Sequence, residues 1–177
     1  GRFDPVDVMR LIEREQVTSW GPMGTMVHRV VHHPDVAKYD LSSVASIGSG
    51  GAPMSPELQQ KIRAVFPTAQ ASLGLGYGLT ECTCLVSVNP PDGNKKIGSV
   101  GLPFPHTDVR IVATNPDGSP RICGTDEVGE ICVSNPGVYP GHTYTEAAKN
   151  KNLFWDTAYL RTGDLGHRDA DGFFFVT

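Results

Sequence analysis

One six-residue stretch, Gly76-Tyr77-Gly78-Leu79-Thr80-Glu81, combines side chains that could bind a nucleoside triphosphate. Its two glycines allow a sharp turn and a close approach of a ligand to the main chain. Tyr77 offers a flat face for a planar ring, while the Thr80 hydroxyl and the Glu81 carboxylate suit a phosphate and its Mg²⁺. Short motifs also arise by chance, so a strand-to-loop turn with an exposed tyrosine is the alternative interpretation.

Two other stretches carry groups that a nucleotide site could use. The small residues of Ser49-Gly50-Gly51-Ala52-Pro53 lie between a predicted strand and a predicted helix, whose N-terminus would favour negative charge. Asp164, in Thr162-Gly163-Asp164, could accept hydrogen bonds from both hydroxyls of a ribose. Each stretch also has a simpler explanation, which is a tight turn that needs glycine for the first and a surface turn for the second.

The first half of the chain alternates between helix and strand. The hydrophobic periodicity predicts helices over residues 5–16, 22–32 and 56–66, and strands over residues 17–20, 44–48 and 69–75. Asp4 and Ser55 are the expected N-caps of the first and third helices. This alternation predicts a parallel, helix-covered sheet with its ligand at the carboxyl ends of the strands.

The second half has a different pattern of short alternating apolar runs. Strands are predicted at residues 97–100, 108–112, 127–133 and 173–176, and one short helix at residues 145–151. This pattern predicts a small antiparallel β lobe or distorted barrel. We therefore expect an α/β fold with an α/β lobe over residues 1–90 and a small β-rich subdomain over residues 91–177.

Composition narrows the class of protein. The 177 residues carry a net charge of −4, which is typical of a globular protein and gives no reason to expect a nucleic-acid partner. The sequence has no apolar run long enough for a transmembrane segment and no signal-peptide pattern. Its four cysteines do not complete a zinc site, so we expect mostly buried, reduced thiols in a cytoplasmic protein. Because the chain starts without Met and ends within a predicted strand, we expect it to be a piece of a larger protein.

The six-residue motif resembles the adenine- and Mg²⁺-binding motif of the adenylate-forming superfamily. This superfamily includes acyl-CoA synthetases, aryl-CoA ligases, luciferases and the adenylation domains of peptide synthetases. Three further stretches match the family in the family's order: Ser49-Gly50-Gly51-Ala52-Pro53, Gly129-Glu130-Ile131-Cys132-Val133 and Leu160-Arg161-Thr162-Gly163-Asp164-Leu165-Gly166. The resemblance covers essentially the whole chain, and it is to the later part of the large N-terminal domain of a fatty-acid–CoA ligase.

The resemblance implies a role for each motif residue. Tyr77 would stack on adenine, Thr80 would touch phosphate, Glu81 would hold Mg²⁺ and Asp164 would bind the ribose, with Thr80 and Glu81 as the catalytic residues. The nucleotide-binding set that it implies is Gly50, Gly51, Ala52, Pro53, Gly76, Tyr77, Gly78, Thr80 and Asp164. Glu130 is expected to be a structural residue on a strand.

The resemblance also places the second predicted helix beside the acyl group. Four apolar residues there could line an acyl tunnel: Trp20, Met23, Met26 and Val27. Plain core packing explains them equally well. The sequence departs from the family at His106, which follows Pro105 where glycine is usual, and at Asn135 and His142, which replace a common glycine and tyrosine.

The activity that the resemblance implies is ATP-dependent acid–thiol ligation. The parent enzyme would use Mg-ATP to activate a carboxylic acid, expected to be a fatty acid, and would transfer the acyl group from the acyl-adenylate to coenzyme A. An amino-acid adenylation domain of a peptide synthetase and a non-catalytic nucleotide-binding module are the alternatives. Because the family's phosphate loop and C-terminal catalytic lysine are absent from these residues, we expect the isolated chain to be inactive, and its uncovered faces could favour a homodimer.

Overall fold

The structure, a computed structural model, describes residues 2–50, 54–90 and 96–177, without the side chains of residues 70–73. The chain forms two compact units, one of Gly1–Leu75 and Pro91–Gly98 and the other of Gly76–Pro90 and Ser99–Thr177. Helices and mixed sheets make this an α/β protein, as predicted. The predicted domains over residues 1–90 and 91–177 stay a prediction, because a division by compactness does not define the domains of a longer protein.

The first unit contains the three helices that the sequence predicts, named α1 (Pro5–Glu15), α2 (Gly24–Val31) and α3 (Pro56–Val65). Both predicted caps are confirmed. The Asp4 carboxylate accepts a hydrogen bond from the amide of Val6 at 2.8 Å, and the Ser55 hydroxyl accepts one from the amide of Leu58 at 3.3 Å. These bonds satisfy amides that have no partner within the helix, so they explain why α1 and α3 begin where they do.

Three parallel strands accompany these helices, named β1 (Ser19–Trp20), β2 (Ser46–Ser49) and β3 (Leu73–Tyr77). The parallel pairing of β1 with β2 and of β2 with β3 confirms the prediction. The predicted strand over residues 69–75 is misplaced, because Pro67–Ser72 is a 3₁₀ helix and β3 continues into Gly76 and Tyr77. The strand extends there because β4 (Ser87–Val88) pairs antiparallel with these two residues.

Each unit has its own hydrophobic core. In the first unit the core contains Met9 and Ile12 of α1, Val27, Val30 and Val31 of α2, Ile47 of β2, Ile62 of α3, and Leu41, Val44, Phe66 and Ala69. In the second unit it contains Cys82, Val86, Val109, Ile111, Cys123, Ile131, Val133, Val138, Leu160 and Phe174. Burial of these apolar side chains is the main force that holds each unit together.

The second unit is built from antiparallel strands. After β4 they are β5 (Leu102–Pro103), β6 (Asp108–Thr114), β7 (Pro120–Ile122), β8 (Gly129–Ser134), β9 (Phe154–Trp155), β10 (Tyr159–Arg168) and β11 (Phe174–Val176). The larger sheet has the order β11-β10-β8-β6-β7, with β9 also on β10. Among the described strands β7 and β11 do not pair with each other, so the antiparallel lobe is confirmed and the sheet stays open rather than closing into a barrel.

Two local predictions in this half need correction. Ile97 and Gly98 form a turn and residues 99–100 belong to no strand, because Gly98 adopts a φ of +83° that a strand does not accept. The predicted helix at residues 145–151 is only a 3₁₀ turn over Ala147–Asn150. The alternative interpretation of Asp164 as a residue of a surface turn is excluded, because Asp164 lies inside β10, the longest strand, which pairs with β8 and β11.

No helix in the described ranges combines the length and the apolar character that a bilayer crossing requires. All four cysteines are free thiols, and three of them, Cys82, Cys123 and Cys132, are buried, as expected. Cys84 is the exposed one.

Candidate nucleotide-binding site

The turn after β3 carries Thr80 and Glu81. Gly78 is required there, because a Cβ atom at this position would lie 1.7 Å from the carbonyl oxygen of Cys84. The Leu79 carbonyl oxygen accepts hydrogen bonds from the amides of both Cys82 and Cys84, each at 3.1 Å. These bonds fold residues 79–84 into a tight loop and place Thr80 and Glu81 at its first bend, in a 3₁₀ turn over Thr80–Cys82.

A second loop of the same unit supports this turn. The Thr83 hydroxyl donates to the carbonyl oxygen of Gly137 at 2.9 Å, and the Asn135 side-chain amide donates to that of Cys82 at 3.3 Å. The Asn135 side-chain oxygen also accepts from the amide of Gly137 at 2.8 Å. Asn135, one of the positions where the sequence departs from the family, therefore helps to hold the loop that carries Glu81.

An open cavity of about 500 Å³ lies beside the turn. A separate cavity of about 310 Å³ lies elsewhere in this unit. The cavity beside the turn is lined by Gly78, Leu79, Thr80, Thr83 and Cys84. Its volume lies in the range of small-molecule sites. Two residues of the predicted nucleotide set, Gly78 and Thr80, therefore lie together on the wall of a cavity that a ligand could enter.

Tyr77 and Asp164, which are 87 residues apart in sequence, are in direct contact. The Tyr77 hydroxyl donates to Asp164 Oδ2 at 2.6 Å. Burial raises the pKa of Tyr77, and the hydrogen bond to Asp164 raises it further, so the phenol stays a neutral donor at physiological pH. The structure thus brings together the residue predicted to stack on adenine and the one predicted to bind ribose.

Asp164 is exposed at an irregularity in β10. Between the pairs Arg161–Cys132 and Leu165–Glu130, β10 spans two residues more than β8, and the extra residues bulge out of the sheet. Gly163 has a φ of +80° within this bulge. Its neighbour Thr162 donates through its hydroxyl to the carbonyl oxygen of Ile131 at 2.8 Å and accepts from the amide of Asp164 at 3.1 Å.

Glu130 of β8 supports the same bulge. The Arg161 guanidinium donates to Glu130 Oε2 at 2.7 and 2.9 Å, and the amide of Gly163 donates to Glu130 Oε1 at 3.2 Å. The hydrogen bond to Glu130 raises the pKa of Arg161. The expected place of Glu130 as a structural residue on a strand is confirmed, and its partners show what it holds.

Glu81 has a partner that the sequence did not reveal. The Tyr144 hydroxyl donates to Glu81 Oε1 at 2.5 Å, across 63 residues of sequence. This hydrogen bond raises the pKa of Tyr144, and both side chains are partly buried. Tyr144 lies outside every motif of the resemblance, so no sequence signal pointed to it.

The glycine-rich stretch of the first unit is described only in part. Gly51, Ala52 and Pro53 lie outside the described residues. Gly50 forms a parallel bridge with Met23, and the buried Ser49 hydroxyl donates to the carbonyl oxygen of Pro22 at 3.1 Å. Contact of this stretch with a nucleotide stays a prediction.

The four residues of the predicted acyl tunnel differ in environment. Val27 has no exposed surface and belongs to the core, and the Trp20 ring lies 5.7 Å from that of Phe66. Met26 is partly buried, whereas Met23 is 59% exposed. Core packing accounts for Val27, and a tunnel formed by the four residues stays a prediction.

The donor groups at the turn fit Mg²⁺ better than a metal held by protein alone. Within the described ranges, no three His, Cys, Asp or Glu side chains cluster closely enough to hold a metal ion. The turn offers one carboxylate, Glu81, next to one hydroxyl, Thr80. Mg²⁺ characteristically keeps several waters and binds through one or two carboxylates together with substrate phosphates, so this pair of groups suits it.

The Thr80 hydroxyl and the Glu81 carboxylate lie just past the carboxyl end of the parallel strand β3, which is where α/β folds bind their ligands. Residues 1–143 match the family of AMP-binding enzymes, and the chain belongs to this family. The resemblance to adenylate-forming enzymes is therefore confirmed.

Two relatives and one solved structure illustrate the similarity. The long-chain-fatty-acid–CoA ligase of Bacillus subtilis (strain 168) is 33% identical over 175 residues, which are 99% of this chain and 30% of that protein. Probable 4-coumarate–CoA ligase 1 of Dictyostelium discoideum is 33% identical over 177 residues, 99% of this chain and 31% of that protein. The structure of O-succinylbenzoate coenzyme A synthetase from Bacillus subtilis, in complex with ATP and magnesium ion, matches with a TM-score of 0.74 at 28% identity, over 99% of this chain and 34% of that one. The chain therefore spans about a third of the length of these proteins.

Proposed function

We propose that this chain is part of an acid–thiol ligase that activates a carboxylic acid with Mg-ATP and transfers the acyl group to coenzyme A. The observation that carries the proposal is the 2.6 Å hydrogen bond between Tyr77 and Asp164. It joins two residues with separate predicted roles in nucleotide binding, in a chain of the AMP-binding family. The two relatives described above are CoA ligases, and the similar synthetase was solved with ATP and magnesium ion.

The proposed reaction has two steps. A carboxylate oxygen of the acid attacks the α-phosphorus of ATP, and the bond from that phosphorus to the leaving pyrophosphate breaks, giving an acyl-adenylate. The coenzyme A sulfur then attacks the acyl carbon, the bond to AMP breaks, and the thiol proton is released. The first step depends on in-line placement and charge neutralisation more than on acid–base catalysis.

Residues of this chain would bind and orient the nucleotide. The Tyr77 ring would stack on adenine, Asp164 would accept hydrogen bonds from the ribose hydroxyls, and the Thr80 hydroxyl would contact phosphate. Glu81 would hold Mg²⁺, which when bound neutralises phosphate charge. The stretch from Gly50 to Pro53 would form a wall of the adenine and acyl site.

For the acid we propose a fatty acid, and the second candidate is an aryl acid. The fatty-acid–CoA ligase and the 4-coumarate–CoA ligase are equally similar to this chain, at 33% identity. An apolar tunnel that includes Trp20, Met23 and Met26 would suit a long alkyl chain. Free, mostly buried thiols are consistent with a reducing compartment, and we propose that the enzyme is cytoplasmic.

ATP–pyrophosphate exchange by the full-length protein tests this proposal. We expect exchange with fatty acids, and a loss of at least about 100-fold in Glu81→Ala, because removing a group that stabilises the transition-state charge has effects of this size. Glu127→Ala is the matched control, since Glu127 is a carboxylate of the same unit that pairs with Arg121 rather than with the turn. Exchange with aryl acids alone would favour the second candidate, and exchange with amino acids would indicate a peptide-synthetase domain.

Two results would contradict the proposal. Full exchange in Glu81→Ala would remove Glu81 from the reaction. No exchange with any acid would leave nucleotide binding without ligation as the function of this chain.

A further inference from the structure

We propose that Tyr144 is a positioning residue for Glu81: its hydroxyl fixes one carboxylate oxygen and leaves the other available for the cation that accompanies ATP. This inference rests on the proposed function, and it assigns a role to a residue outside the recognised motifs.

The first support is the geometry of the Glu81 carboxylate. Oε1 accepts the Tyr144 hydroxyl at 2.5 Å, whereas no hydrogen bond to Oε2 is found among the described residues. A carboxylate on a flexible side chain rotates freely, and ordering it costs conformational entropy. Because Tyr144 holds one oxygen in advance, part of that cost is already met when a cation binds to the other.

The second support is that Tyr144 is itself held in place. Its amide donates to Asn150 Oδ1 at 2.9 Å, and the Asn150 side-chain amide donates back to the Tyr144 carbonyl oxygen at 2.7 Å. Asn150 ends the 3₁₀ turn over Ala147–Asn150. The Asn150 side chain therefore bonds to both backbone groups of Tyr144. The loop of residues 144–150 thus fixes the backbone from which the Tyr144 hydroxyl reaches Glu81.

The third support is the charge of the donor. A neutral phenol can hold an ionised carboxylate through a short, charge-assisted hydrogen bond without cancelling its charge. A lysine or arginine in the same place would cancel part of that charge and would repel a cation. No salt bridge to Glu81 is found in the described part of the chain, and the ion pairs of this unit that the structure shows join other carboxylates, such as Glu127 and Glu130.

The test is a measurement of metal binding that does not depend on turnover. In the full-length protein with a non-hydrolysable ATP analogue, Mn²⁺ affinity is measured by electron paramagnetic resonance. Tyr144→Phe should weaken Mn²⁺ binding by about 3- to 10-fold, the range expected for loss of one hydrogen bond. In the exchange assay the KM for Mg²⁺ should rise by the same factor, with kcat at saturating Mg²⁺ changed less.

Tyr139→Phe is the matched control, because Tyr139 is an exposed phenol five residues earlier, and it should bind Mn²⁺ like the wild type. Asn150→Ala keeps the hydroxyl but releases its clamp, and it should weaken Mn²⁺ binding in the same direction. In a Glu81→Gln background Tyr144→Phe should cause no further loss, which a general effect of Tyr144 on folding would not reproduce.

If Tyr144→Phe binds Mn²⁺ as tightly as the wild type or more tightly, while Glu81→Ala binds it more weakly, the role of Tyr144 is overturned and the role of Glu81 stands. Tighter binding by Tyr144→Phe would mean that Tyr144 competes with the cation. Wild-type Mn²⁺ binding by Glu81→Ala would instead overturn the role of Glu81 in the proposed function.

Discussion

Two hydrogen bonds between a tyrosine and a carboxylate organise the candidate site at the level of single residues. Tyr77 donates to Asp164, and Tyr144 donates to Glu81. In both pairs the donor is a neutral phenol that carries no opposite charge, and it bonds to only one of the two carboxylate oxygens. This arrangement orders the carboxylates and preserves their ability to bind a cation or a ribose.

The Tyr77 hydroxyl and the Tyr77 ring should make separable contributions. Tyr77→Phe keeps the stacking face but releases Asp164, so the KM for ATP should rise by about 3- to 10-fold. Tyr77→Ala also loses the stacking, for which base–aromatic contacts contribute about 1–3 kcal/mol, so its KM should rise further. Both are measured by pyrophosphate exchange at varied ATP. Equal KM values for the two variants would show that the ring does not stack on the base.

Cys132 should make stability depend on alkaline pH. Burial raises its pKa from an ordinary 9.0 to about 12, so the folded state holds the proton more tightly than the unfolded state does. The contribution of the protonated Cys132 thiol to the free energy of unfolding is complete below about pH 9 and is lost as pH rises towards 12. For this one group the free energy of unfolding falls by at most about 1.4 kcal/mol per pH unit. Urea unfolding measured between pH 8 and about 10.5 should therefore show a free energy of unfolding that falls as pH rises above about 9.

Cys132→Ala should reduce this slope without abolishing it, because burial also raises the pKa of Cys82 to about 12, and the variant loses packing at every pH. Cys84→Ala is the control, since Cys84 is exposed and its removal should leave the slope unchanged. Identical slopes for wild type and Cys132→Ala would contradict the assignment.

At the level of elements, the bulge in β10 presents Asp164. A regular strand would alternate its side chains between the two faces, whereas two extra residues opposite β8 displace Asp164 from the ladder. The bulge persists because Thr162 and Gly163 find partners on β8, in Ile131 and Glu130. A neighbouring strand therefore positions a residue of the proposed nucleotide site.

Glu130→Ala should disturb this bulge and weaken nucleotide binding without removing any proposed contact to the nucleotide. We expect the KM for ATP to rise by about 3- to 10-fold, which is less than the full effect of losing hydrogen bonds to a charged group, because Glu130 acts on the nucleotide only through the bulge. Glu127→Ala is the matched control, because it breaks a similar pair with Arg121 outside the bulge. The measurement is pyrophosphate exchange at varied ATP alongside thermal unfolding. An unchanged KM in Glu130→Ala would show that the bulge forms without Glu130.

At the level of the whole molecule, the site residues that make contact all belong to the second unit. Tyr144 and Asp164 are far in sequence from Tyr77 and Glu81, but all four lie within Gly76–Pro90 and Ser99–Thr177. The match to the Bacillus subtilis ligase spans 99% of this chain but only 30% of that protein. The proposed catalytic cycle and the expected homodimer of this chain therefore stay predictions.

The isolated 177-residue chain should fold but should not catalyse pyrophosphate exchange. The resemblance places the family's phosphate loop and catalytic lysine outside these residues, so the charge that develops on pyrophosphate would lack its stabilising groups. Calorimetry should show only weak AMP binding, with a Kd on the order of 1 mM, which corresponds to a binding free energy of about −4 kcal/mol. The full-length protein is the control. Exchange by the isolated chain at a rate near that of the full-length protein would contradict this prediction.

Local sequence determined the features that depend on neighbouring residues. Asp4 and Ser55 cap α1 and α3 as predicted, because an N-cap bonds to amides only two or three residues away. The turn of Phe104–Thr107 follows the same logic, since its hydrogen bond from the Thr107 amide to the Phe104 carbonyl oxygen encloses Pro105 and His106. His106 has a φ of +63°, as the third residue of a type II turn requires, and this explains why glycine is usual there in the family.

Tertiary structure decided the contacts that join distant residues. Nothing near Tyr144 in the sequence indicates that its hydroxyl meets Glu81. The Gly163-Asp164 pair is compatible with a surface turn, whereas the structure has a strand with a bulge there. Apolar periodicity reports which face of an element is buried, but it carries no information about which polar groups of another element lie opposite. Strand pairing set those partners, because the register of β8 against β10 brings Ile131 and Glu130 opposite the bulge. The residue types of the site were therefore readable from the sequence, while the hydrogen bonds that hold Glu81 and Asp164 followed from the packing of the second unit.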